Sequence, residues 1–115
     1  MTDELWDLMR ETMALRQLSD ALYQSDLAGT TAPSQEREYR LRRAAADQRH
    51  VALYPDDEKG RAEAQRSAVM LREHDAIHAS HRGAVPATAS QWVSLDGAAA
   101  YVRQEAAAAG LTGPS

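Results

Sequence analysis

A chain of 115 residues has room for one domain with a continuous core and little more. With 13 basic and 17 acidic residues, its net charge of −4 offers no general attraction to nucleic acid or to anionic lipid. The absence of cysteine excludes a disulfide framework, a thiolate metal site and a cysteine nucleophile.

The material for a core is thin. Leu, Ile, Val and Phe make up about 15% of the chain, below the usual share for a globular domain, and Phe is absent. Alanine supplies about a fifth of the residues, which favours helix but buries little area per side chain. A modestly stable monomer or an oligomer is therefore expected. Arginine greatly outnumbers lysine and asparagine is missing, a bias of GC-rich coding. The start, Met1-Thr2-Asp3-Glu4, lacks a signal-peptide pattern, and no apolar run is long enough to span a bilayer. The reducing cytoplasm, without a membrane partner, is the expected setting.

The first segment, 2–27, reads as a helix. Thr2 is a candidate N-cap, and Asp3, Glu4 and Asp7 suit the positive end of the helix dipole. Leu5, Leu8, Thr12, Leu15, Ser19 and Leu22 form one stripe, and Trp6, Met9 and Met13 form a second seam. This wide apolar arc predicts a helix contacted on more than one side, at the centre of the fold. Gly29 stops it and Pro33 restarts the chain, with Ser34 as the next candidate cap. A second helix is expected over 35–53, with Leu41, Ala44, Ala45, Gln48, Val51 and Ala52 facing inward and Tyr54-Pro55 ending it.

Asp56, Asp57 and Glu58 open a third helix expected to run to Arg82, with Gly83 as its stop. After a linker containing Pro86, Thr88 and Gln91 form a candidate capping box for a fourth helix, whose stripe is Trp92, Leu95, Ala99, Val102 and Ala106. Gly97 within it costs about 1 kcal/mol relative to alanine. The expected architecture is all-α: an antiparallel up-down-up bundle over 1–82, a linker and helix start over 83–91, an amphipathic helix over 92–110 and a disordered tail over 111–115. The first helix is acidic, whereas 35–49 carries five arginines against three acids, so these neighbours should attract.

Four functional readings follow. His74, His78 and His81 fall at i, i+4 and i+7 on one expected helix face, and a His pair at i, i+4 can hold one divalent metal ion. The first and last lie about 10 Å apart, so one ion takes two of them and needs ligands from Asp20, Asp26, Glu36 or Glu38. Met70 and Ile77 share that stripe, which makes the histidines equally suitable as residues bordering the core. No other cofactor is expected. Arg37, Arg40 and Arg43, with Arg42, Arg49 and Tyr39, form the basic concentration that would hold phosphates, but Glu36, Glu38 and Asp47 dilute it into a solvated helix face.

Catalysis has no phosphate loop or nucleophile elbow behind it. The fourth reading is a non-enzymatic interaction module, a homodimer or the partner of another helical protein, using Trp6, Met9, Met13, Trp92 and Val102. Against it stands an ordinary bundle in which the fourth helix covers the second seam of the first. The stretch Ser94 to Val102 resembles the first helix of excisionase-type winged DNA-binding proteins over nine residues. Those continue into a recognition helix, whereas here Arg103-Gln104-Glu105 and an alanine run follow, so no function is carried across.

Overall fold

The computed structural model describes residues 3–111. Among them the chain is all-helical: α1 (Asp3–Ala28), α2 (Pro33–Leu53), α3 (Glu58–His78), a 3-10 turn at Ser90–Trp92 and α4 (Leu95–Ala108). None of these helices is long and apolar enough to cross a membrane.

Local chemistry sets the boundaries. Gly29 adopts φ +69° after α1, where its lack of Cβ lets Thr30 N–H reach back to the Ser25 carbonyl at 2.9 Å. The candidate cap Thr2 lies outside the described residues. Pro33, not Ser34, opens α2: Ala32 occupies the cap position and its N–H donates to Gln35 Oε1 at 2.8 Å. Asp57 caps α3, one oxygen accepting from Gly60 N–H at 3.1 Å and the other lying 2.9 Å from His50 Nε2. That carboxylate ties the end of α2 to the start of α3.

Two boundaries depart from expectation. α3 ends at His78, four residues before Arg82, because Ala79 turns into the left-handed region at φ +50°. Ser80 then folds back, its N–H donating to the Asp75 carbonyl at 3.1 Å and its hydroxyl to Asp75 Oδ1 at 2.7 Å. At the other boundary Thr88 caps nothing. Ser94 caps α4 by accepting from Gly97 N–H at 2.9 Å, and Trp92 precedes the helix on the 3-10 turn. A Cβ on Gly97 would stand 2.5 Å from the Gln91 carbonyl oxygen and 2.9 Å from the Trp92 backbone. The glycine that counts against a helix in propensity terms is required by that close approach.

The core lies between α2, α3 and α4, which all pack on one another, and not between the first three helices. Ala44, Ala68 and Ala98 are fully buried and bring the three backbones close, while Leu41, Leu71, Tyr101 and Val102 fill the space between them. Trp92 seals one side, edge-on to Tyr101 and donating from Nε1 to the Pro86 carbonyl at 3.0 Å. Leu111 also packs on this core, and Arg49 donates to its carbonyl at 2.6 Å; residues 112–115 of the expected tail lie outside the described residues.

α1 is therefore not the centre. It packs along α2 alone, running antiparallel to it, with Leu8 buried and Leu15, Leu18 and Leu22 half-buried. The expected charge attraction comes down, among the described residues, to one distant ion pair, Arg42 to Glu11 at 4.0 Å. Arg37 turns instead to α3 and α4, and Arg43 to α3 and to its own helix.

Candidate functional site

Each of the three core helices carries one charged residue where its apolar stripe predicts another hydrophobe: Arg37 before Leu41 and Ala44, Asp75 after Ala68 and Leu71, Glu105 after Ala98 and Val102. These residues meet. Arg37 donates from Nε to Asp75 Oδ1 at 2.8 Å, and from Nη2 to Asp75 Oδ2 at 3.0 Å and Glu105 Oε1 at 2.7 Å. Tyr101 donates its hydroxyl to Asp75 Oδ2 at 2.5 Å. Glu105 further accepts from the backbone N–H groups of Arg82 and Gly83, at 2.5 and 2.8 Å, and from Gln104 Nε2 at 2.8 Å.

One guanidinium thus faces two carboxylates, and neutral donors supply the remaining stabilisation. Burial by itself would raise the Asp75 carboxyl, yet the Arg37, Tyr101 and Ser80 hydrogen bonds hold it below the ordinary carboxylate range. Burial and the adjacent Asp75 push the Tyr101 hydroxyl well above its ordinary value, so it serves as a donor only. Burial opposes the charge on Arg37, but hydrogen bonding to Asp75 and the field of both carboxylates keep it protonated. This knot is closed on itself, and its geometry is that of a clasp holding three helices and the loop after α3.

The clasp removes Arg37 from the basic face on which it was expected to hold phosphate: the residue is 8% exposed and its Nε and Nη2 are bonded to carboxylates. Arg43 donates to Tyr39 at 3.2 Å and pairs with Asp47 and Glu63, each at 3.4 Å. Arg40 stays half-buried beside a groove of about 430 Å³ between α1, α2 and α3. There Arg40, Arg43 and Arg66 are matched by Asp26, Glu36 and Glu63, so no net positive field develops.

The three histidines do not share a helix face, because α3 has ended before His81. His74 is 6% exposed, its Nδ1 lies 4.0 Å from Glu36 Oε2, its Nε2 is buried without a hydrogen-bond partner, and its ring centre stands 4.4 Å from that of His78. Burial lowers the His74 basicity, and the charges of His78 and Arg40 lower it further. Among the described residues no three His, Asp or Glu side chains converge as a metal-holding group.

The expected interface residues divide. Trp92 and Val102 lie inside the core of their own chain. Trp6, Met9 and Met13 are 47%, 45% and 66% exposed. At about 100° per residue they fall on the side of α1 opposite Leu8, Glu11, Leu15 and Leu18, the side turned to α2. α4 does not cover them; it is committed to α2 and α3.

What fold and site together define is a small all-helical protein with a three-helix core, a buried ionic clasp and an outer helix whose far side is apolar. Compared with protein-family models, with curated proteins and with solved structures, the chain finds no match.

Proposed function

We propose that the protein is a non-enzymatic interaction module that self-associates through the outer side of α1. One observation carries this reading: Trp6, Met9 and Met13 form a row of large apolar side chains on a helix packed from the other side only. Side chains of this size gain about 1.5–3 kcal/mol each on going from exposed to fully buried, and these three are still about half or more exposed. Trp and Met are also residue types that interface cores favour.

Light scattering coupled to size exclusion over a protein concentration series tests it. The expected outcome is a mass that rises from one chain to two across the micromolar range. Trp6→Glu and Met13→Glu should shift that rise at least tenfold upward in concentration while leaving helicity unchanged, and the melting temperature unchanged at concentrations where the parent is a single chain, because both positions lie on the side of α1 turned away from α2. A single-chain mass at every concentration would overturn the proposal.

A second reading, binding of a divalent ion or a small ligand at His74 and His78, has one observation in its favour: the buried Nε2 of His74 without a partner, next to a second imidazole. Zinc or nickel at stoichiometric concentration would then raise the melting temperature, and His74→Gln would abolish the rise.

A further inference from the structure

We infer that α1 carries a self-complementary seam along its whole length, on which α1 of a second chain lies antiparallel with Arg16 of each chain paired to the partner's Asp20. The inference rests on the self-association proposed above and deepens it by naming the contact and its register. The exposed large apolar residues of α1 are Trp6, Met9, Met13, Tyr23 and Leu27. They follow alternating steps of three and four residues, the spacing of a seam between two wound helices. The seam runs 6, 9, 13, 16, 20, 23, 27, and only its two middle positions are charged. Those are Arg16 and Asp20, both exposed at the lip of the groove between α1 and α2, and neither has an ion-pair partner among the described residues.

Such a seam complements its own reverse. With the two helices antiparallel and centred level with Leu18, Arg16 lies level with the partner's Asp20, Met13 with the partner's Tyr23 and Met9 with the partner's Leu27. Trp6 reaches the start of the partner's loop between α1 and α2. Seam side chains interleave in layers, and each of these layers draws its members from the two alternating kinds of seam position, as antiparallel winding requires. The two-fold axis sets each edge of the seam against the same edge of the partner. Arg10 then stands by the partner's Gln24 and Gln17 by the partner's Gln17 on one edge, Thr12 by the partner's Asp26 and Ser19 by the partner's Ser19 on the other, so no like charges meet.

The charges exclude the alternatives. A parallel pair would set Arg16 against the partner's Arg16 and Asp20 against the partner's Asp20 within the contact. Sliding the antiparallel pair by one heptad either way would set Arg16 against the partner's Met13 or the partner's Leu27, leaving both charges unpaired among apolar side chains. The contact from Met9 to Leu27 is about 27 Å long, and polar groups at its middle fix orientation and register at a cost in stability, which fits association in the micromolar range.

Charge exchange, read by light scattering over a concentration series, tests the pairing. Arg16→Asp and Asp20→Arg each set like charges at both crossings, and each should weaken the dimer by about tenfold or more without loss of helicity, since both side chains are exposed. An equimolar mixture of the two variants associates as the parent does, which separates pairing between chains from pairing within one helix. The chain has no cysteine, so introduced thiols report the register without background. Gln17→Cys, beside the axis, forms a disulfide-linked dimer at least about fivefold faster than Met9→Cys, whose like positions lie about 27 Å apart.

A dimer that neither charge variant weakens, or a Met9→Cys crosslink as fast as that of Gln17→Cys, would overturn the register. A dimer that also survives Trp6→Glu and Met13→Glu would mean another face, and would overturn both the register and the use of this surface. A chain that is monomeric throughout would refute self-association itself, a result separable from either of the others.

Discussion

Asp75 collects four hydrogen bonds, two from Arg37 on α2, one from Tyr101 on α4 and one from Ser80 just past its own helix. Removing Arg37 leaves two carboxylates buried against each other with no cation between them. Arg37→Met is expected to destabilise the fold by about 3–5 kcal/mol, read from urea unfolding. Ala79 is the opposite case, a residue whose side chain opposes its backbone. It holds φ +50° at a cost of about 1–2 kcal/mol that glycine would not incur. Set against the greater unfolded-state freedom of glycine, Ala79→Gly should gain about 0.5–1 kcal/mol. A loss of stability in that variant would contradict the left-handed cap.

His74 and Asp75 together set the acid limit of the fold, and both act in the same direction. His74 is held below its ordinary value by burial and by His78 and Arg40, against the pull of Asp75 and Glu36. In the range below about pH 6.5 the unfolded chain therefore takes up the proton first. Stability is flat above that pH and declines as pH falls through the folded value of His74. Asp75, held low, adds stability above about pH 4 that is lost as pH falls through its folded value. The melting temperature should thus fall in two steps on acidification, and His74→Gln should erase the first. A melting temperature constant from pH 8 to pH 5 in the parent protein would remove the His74 contribution.

The helices differ in how firmly they are held. α2 packs on α1, α3 and α4, whereas α1 packs on α2 alone and buries only Leu8 fully. Hydrogen exchange should find α1 amides opening at lower free energy than those of α2, by a margin that narrows as concentration rises if α1 is the dimer surface. At the other end of the chain, the start of α4 depends on Gly97 and Ser94. Gly97→Ala gains helix propensity but drives a methyl group into the Gln91 carbonyl, so a net loss of about 1–3 kcal/mol is expected on denaturation. Ser94→Ala should lose about 1 kcal/mol by the missing cap.

The whole molecule is a compact three-helix core with a fourth helix laid on one side, and the order of assembly was not legible in the apolar count. The wide arc of α1 suggested a central helix, and the small, narrow stripe of α2 suggested one that packs closely. Packing moves the centre from α1 to α2, because alanines at 44, 68 and 98 allow three backbones to approach closely, and close approach makes an alanine-rich helix central. The sequence by itself determined that the chain is helical, where Gly29, Pro33 and Asp57 break and cap it, and that α1 carries more apolar surface than one neighbour needs. These are properties of local periodicity and backbone chemistry, set within a few residues of one another. Only the tertiary structure decided that Trp92 and Val102 belong to the core, that His81 leaves the histidine face, and that Arg37, Asp75 and Glu105 form one clasp. Those outcomes depend on residues 38 to 68 positions apart meeting in space, and burial, which gives a charge its meaning, is a property of that meeting.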